Sequence, residues 1–357
     1  MKCSIQGIGV VGGFGCGLGA LHGVLSGGRT EKRTVQVKTV EGSKNMPVFL
    51  ADTSHLNDFV DRRVLRRVDH YSKMALLGSY LALEDAGIVG SDHSRMGVIV
   101  ASGYGPGNTT LSFLDTFIND GDNLSSPTFF SNSVQNAAVA NISIMLNITG
   151  PGLTVSQFEL SVASALLTAG NWLDQGCVDF VLLGAVDEYF GQLGYFWHRF
   201  YGRDATDDHE LRPFTLDLQT GILGEGAAFF LLNKAEEGKY GVIEEVLMGR
   251  DETGPAVSED ALLVLGADGH KKCGEFYRPF IGSTAAAVSY APIYGTLPVG
   301  PAFDLAIAGL SIREKTIFLE SSGHEGTYVQ NPFGGTRINC LKINSSGEYG
   351  LIGISGQ

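Results

Sequence analysis

The chain has 357 residues, 44% of them hydrophobic and 18% charged, which is enough apolar material for one large or two medium domains and unlike a disordered composition. A net charge of −13 repels phosphate backbones and anionic headgroups, so neither nucleic acid nor a membrane is an expected partner. The five cysteines are odd in number and include no C-x-x-C pair, so neither a disulfide framework nor a structural zinc is expected. With no apolar run of 18 residues and no leucine-rich leader, the expectation is a cytoplasmic protein.

Strand-like apolar runs alternate with helical patterns. Residues 4–11 read as a strand and 18–25 as a short helix. A longer helix runs through RRVDHYSKMALLGSYLALEDAG and stops at Gly87. MGVIVA (96–101) reads as a buried strand, 160–174 as a small-residue helix, and DFVLLGAVD and 227–232 as further strands. After the charged turn EEGKYG (236–241) a second series begins: strand ALLVLGAD, helix PAFDLAIAGLSIR, strand TIFLESS and a terminal strand INCLKI. The alternation predicts a layered α/β fold, with halves at 1–236 and 237–357.

Three motifs invite functional readings. Gly7-x-Gly9-x-x-Gly12 follows a strand, but more glycines and then a basic loop come next instead of the helix and acid a dinucleotide site needs. It reads as a strand-to-helix turn, and no cofactor is expected. None of the eight histidines makes an H-x-x-x-H or H-E-x-x-H pair, so no metal site is expected. RRVLRR (62–67) is the densest basic stretch and reads as a solvated face or partner contact.

Several segments taken together resemble the β-ketoacyl synthase family. They are LRRVDHYSKMALLGSYLALEDAGI, NAAVANISIMLNITGPGLTV, LLGAVDE, RPFTLDLQTGILGEGAAFFLL and NPFGGTRINCLKI. The resemblance implies a thiolase-like α-β-α-β-α fold built from two pseudo-repeated halves. A condensing enzyme of this family needs a thiolate to carry the acyl chain and two imidazoles to stabilise the enolate and assist decarboxylation. Where the family carries its cysteine, this chain reads TVSQFELS and has Glu159. Asp268 takes the place of the first histidine, and Thr296, or in a rival register Ser283, that of the second. His270, two residues on, and His324 are the imaginable replacements.

The chain is most similar to the chain-length-factor subunits of type II polyketide synthases, which keep the fold and lack the cysteine. That resemblance implies a non-catalytic partner of a cysteine-bearing ketosynthase, with an acyl carrier protein docking mainly on the partner. Thr110, Phe113 and Phe117 fall on one helix face and are candidates for the chain-length gate, or ordinary core, with Phe129 and Phe130 as further interface candidates. Two other readings stay open: a ketosynthase-like subunit of a heterodimeric aryl-polyene or fatty-acyl-type synthase, and an autonomous condensing or decarboxylating enzyme using Glu159, Asp268 or His270.

Overall fold

Seven consecutive buried residues, Met96–Ser102, form a strand that takes cover on both faces, as parallel strands do. The computed structural model that shows this describes residues 2–202, 209–250, 254–257, 261–282, 286–321 and 324–356. Ser283 therefore lies outside the described residues.

In chain order the first half holds β1 (Cys3–Gly12), β2 (Gly15–Cys16), α1 (Gly17–Leu25), β3 (Arg33–Thr39), β4 (Gly42–Val48), α2 (His70–Asp85) and β5 (Met96–Ser102). It continues with α3 (Gly107–Asp120), α4 (Pro127–Asn132), α5 (Ala137–Met145), β6 (Gly152–Ser156), α6 (Ser161–Asp174), β7 (Phe180–Asp187), α7 (Gly191–Tyr201) and β8 (Gly226–Asn233). The second half holds β9 (Val242–Gly249), β10 (Leu262–Leu265), α8 (Lys271–Tyr277), β11 (Ala287–Val288), α9 (Ala291–Tyr294) and α10 (Gly300–Glu314). Last come β12 (Thr316–Ser321), β13 (His324–Pro332), β14 (Arg337–Ile343) and β15 (Tyr349–Ser355).

The two halves repeat one topology. Their sheets run β6-β5-β7-β8-β1 and β11-β10-β14-β15-β9, so each places its third strand at the outer edge and its first strand innermost. β8 and β15, the fifth strand of each half, are antiparallel to both neighbours. A short pairing of β1 with β9 joins the two sheets. The helices α6 and α10 contact strands of both sheets and form the middle layer, while α2 and α5 cover the first sheet and α8 the second. The order of layers is α-β-α-β-α.

Composition explains the middle layer. α10 is buried from Gly300 through Ser311, so it carries almost no polar face. α6 is rich in Ala, Ser and Gly, which lets β15 come close: a Cβ added at Gly350 would lie 3.0 Å from that of Ala163.

Three local expectations need correction. Gly7 and Gly9 lie inside β1 and not at a turn, while Gly12 ends the strand at the tight turn to β2. A Cβ at Gly7 would stand 2.2 Å from the Ala82 carbonyl oxygen and one at Gly9 2.1 Å from that of Gly78, so the first two glycines let α2 lie directly on the strand. INCLKI is followed by one more strand, β15, which closes the second sheet against β9. The long helix begins only at His70, capped by the Asp69 carboxylate accepting from the Ser72 amide. The preceding RRVLRR forms a short 3-10 turn whose four arginines are exposed, in keeping with a solvated face.

Candidate functional site: an acidic elbow in an aromatic cavity

The loops that follow β5, β6, β10 and β14 at their carboxyl ends converge with the segment before α10, where open α/β sheets place their ligands. A cavity of about 260 Å³ opens there. Its lining includes Tyr104 after β5, Glu159 after β6, Asp268 and His270 after β10, Thr296 before α10, and Ser345 after β14. The structure thus brings Glu159, Asp268, Thr296 and His270 together from both halves. His324 belongs to β13, in a separate two-stranded sheet with β12. The Phe333-Gly334-Gly335 segment is also absent from it, and the β14–β15 loop supplies Ser345 instead.

Glu159 stands on a sharp strand-to-helix elbow. After β6, Phe158 takes a left-handed conformation with φ of 46°, unusual for a bulky residue. A single 3-10 turn then leads into α6. The Ser161 hydroxyl pins the elbow, accepting from the Gln157 amide at 2.8 Å, with the carbonyls of Phe158 at 2.8 Å and Ser102 at 3.1 Å as the acceptors within reach of its proton. The carboxylate sits at the start of α6, where the helix dipole favours negative charge. It can bind a cation or accept hydrogen bonds, but it cannot form a thioester.

Asp268 is engaged elsewhere. Its Oδ2 accepts from Lys342 Nζ at 2.8 Å, and the same ammonium donates to the Gly266 carbonyl at 2.8 Å. Both side chains are buried. Burial alone would lower the lysine pKa, but the Asp268 charge and hydrogen bond outweigh it and hold it above its usual value. Thr296 donates from Oγ1 to the Asp268 carbonyl at 2.8 Å, which ties the segment before α10 to the loop after β10.

His270 is wedged between aromatic rings, with centroids 4.6 Å from Tyr201 and 5.5 Å from Trp197. Burial holds its pKa below the ordinary histidine value, which keeps the ring neutral. Cys273 also lines the cavity. Its Sγ is 3.7 Å from His270 Nδ1, and burial, reinforced by the Asp268 charge, pushes the thiol up to about 12. A protonated, buried thiol is a poor nucleophile.

One supporting acid was not foreseen as such. Asp187, fully buried at the end of β7, accepts from the amides of Gly103, Tyr104 and Gly105 and from the Ser102 hydroxyl, and so sets the loop that carries Tyr104. Burial raises it to about 6, against the pull of those hydrogen bonds.

The candidate gate residues lie apart from this cavity. Thr110 is tied by its hydroxyl to the carbonyls of Pro106 and Ser133. Phe113 packs its ring 5.3 Å from Phe130 and 6.5 Å from Phe117. Phe117, Phe129 and Phe130 are exposed, so they are not ordinary core of this chain.

The family model described as "Beta-ketoacyl synthase, N-terminal domain" matches residues 22–238, more than half of the chain. The chain belongs to the β-ketoacyl synthase family. It is 26% identical over 252 residues to polyketide beta-ketoacyl synthase 1 of Streptomyces cyaneus, covering 67% of this chain and 59% of that protein. To 3-oxoacyl-[acyl-carrier-protein] synthase 2 of Rhizobium meliloti it is 24% identical, covering 84% of this chain and 75% of that one. Among solved structures, "the ishigamide ketosynthase/chain length factor" superposes with a TM-score of 0.79 at 16% identity, covering 100% of this chain and 99% of that chain. A type II PKS acyl-carrier protein in complex with its ketosynthase gives a TM-score of 0.73 at 13% identity, covering 100% of this chain and 99% of that one. These likenesses show the thiolase-like fold.

Proposed function

We propose that this chain is a non-condensing subunit that pairs with a cysteine-bearing ketosynthase and shapes the cavity in which a polyketide chain grows on an acyl carrier protein, a chain-length-factor-like role. The observation that carries it is a glutamate, Glu159, on the elbow between β6 and α6, the place the family resemblance implies for the nucleophile. Asp268 supports it, because a carboxylate held by Lys342 is withdrawn from the decarboxylating role an autonomous enzyme would give it.

Pairing is supported by the surface. β6 is the outer edge of the first sheet, and an unpaired edge strand invites another chain. Leu153 on β6 and Ile144 on α5, which packs on β6, are exposed, and Phe117 on α3, Leu124 after it, and Phe129 and Phe130 on α4 are further exposed apolar side chains. A set of this kind marks an interaction surface. Two similar structures are a ketosynthase/chain length factor and an acyl-carrier protein in complex with its ketosynthase, and the assembly proposed here is of that kind.

The test is co-expression with the cysteine-bearing ketosynthase encoded nearest to this chain, followed by mass measurement of the intact complex. The expected result is one copy of each. After incubation with an acyl-carrier thioester, digestion should locate acyl groups on the partner's cysteine alone. An adduct on Glu159 or Cys273, or failure of the two chains to associate, overturns the proposal.

A further inference from the structure

The cavity has an unusual balance of charge and surface. Six aromatic side chains line it: Tyr104, Phe158, Phe196, Trp197, Phe200 and Tyr201. Phe196 and Phe200, one turn apart on α7, stack with centroids 6.4 Å apart and stay 51% and 69% exposed, so they form part of an open rim. Within the lining, Asp268 is matched by Lys342 behind it. His270 is held neutral by burial and the Cys273 thiol stays protonated. Glu159 is therefore the unpaired acid of the lining, while outside the lining Lys272 stands with Nζ 5.7 Å from the Tyr201 ring centroid. Among the described residues no hydrogen bond or ion pair engages its carboxylate. Its charge bears on Tyr104, Tyr201, His270 and Cys273, which places it facing the cavity from the elbow.

We propose that this cavity binds an organic cation, an amine or quaternary ammonium group enclosed by the aromatic side chains with Glu159 as its counter-ion. The faces of aromatic rings attract cations, and a carboxylate beside them adds a full charge. An anionic group such as a malonyl carboxylate is repelled by Glu159. A neutral acyl group gains nothing from it. The overall charge of −13 raises the local concentration of cations in the same direction. A volume of about 260 Å³ suits a small head group more than a long chain. The inference concerns this chain's own cavity and does not depend on the pairing proposed above.

The test compares choline with its charge-free isostere, 3,3-dimethylbutan-1-ol, and with benzyltrimethylammonium, by titration calorimetry on the full chain. Fluorescence offers a second readout, because Trp197 lines the cavity and the sequence holds just two tryptophans. Both cations should bind at least about tenfold tighter than the isostere. Glu159→Gln should bring choline and isostere within about twofold of each other, with an unchanged melting temperature. Phe196→Leu, at an exposed position, should weaken cation binding severalfold without unfolding the chain. The proposal is overturned if the isostere binds as tightly as choline, if Glu159→Gln keeps the preference, or if neither cation gives saturable binding.

Discussion

Lys342 Nζ and Asp268 Oδ2 stand 2.8 Å apart, and both side chains are buried. A buried ion pair of this kind is costly to form, because two charges leave water, and more costly to break, because one charge is then left alone. The pair leaves the Asp268 side of the cavity electrically neutral. Its role is structural and electrostatic, and it sets Glu159 apart as the unpaired acid of the lining.

Breaking the pair one side at a time gives a measurable signature. Lys342→Met should destabilise the chain by about 3–5 kcal/mol, and Asp268→Leu by a similar amount. The double variant, an apolar pair in an apolar setting, should recover most of the loss. Denaturant unfolding of the four proteins completes the cycle. Simply additive losses would show that the two side chains do not act as a unit.

Glu188 yields a pH prediction. Its carboxylate accepts from the Asn108 amide at 2.7 Å, at the start of α3, while its other oxygen is buried with no partner among the described residues. Burial raises its pKa to about 7, with the Asp69 charge adding to the rise and the Asn108 amide opposing it. An acid raised in the folded state is more readily protonated there than when unfolded. Its contribution is therefore fully present below the ordinary glutamate pKa and is lost as pH climbs through about 7. Asp187, raised to about 6, and Asp304, raised to about 7 by burial in α10, act in the same direction. The chain should melt several degrees higher at pH 5 than at pH 8. Glu188→Gln keeps an acceptor for Asn108 and removes the charge, so its melting temperature should fall less over that interval. A variant with the same pH slope as the parent rules Glu188 out as a contributor.

Much of the site was legible in the residues because it is local. The run TVSQFELS fixes the elbow, so Glu159 was placed from its neighbours, and the structure puts it on the expected turn into α6. Asp268 was placed the same way, after the strand-like ALLVLG. Lys342 was not, because its partner comes from another strand. The available signal was a lysine in the apolar run INCLKI, which a buried strand tolerates only when it is paired. Cys273 escaped for a related reason: it reaches the cavity from the first turn of α8, far in sequence from Glu159. The glycines of β1 were misread because spacing alone does not separate a turn from a strand on which a helix lies directly.

The last prediction concerns chain length, and it belongs to the proposed pairing. Phe117 is 49% exposed on α3, beside Phe113. Truncating a packed phenylalanine typically costs about 3–5 kcal/mol, but a half-exposed ring leaves little cavity, so Phe117→Ala should destabilise the isolated chain by about 1 kcal/mol or less. If the ring reaches the partner's cavity in the complex, its loss lengthens the available space by several methylenes. Products should then shift toward longer chains while the complex stays assembled. The opposite change is better made at Phe117 than at Thr110, because the Thr110 hydroxyl bonds to two carbonyls and a bulky side chain there would disturb α3. Phe117→Trp should therefore shorten the product. Mass spectrometry of the products, with native mass measurement of the complex in parallel, checks both variants. Should Phe117→Ala dissociate the complex, the ring is interface alone; should both variants leave product length unchanged, α3 does not reach the growing chain.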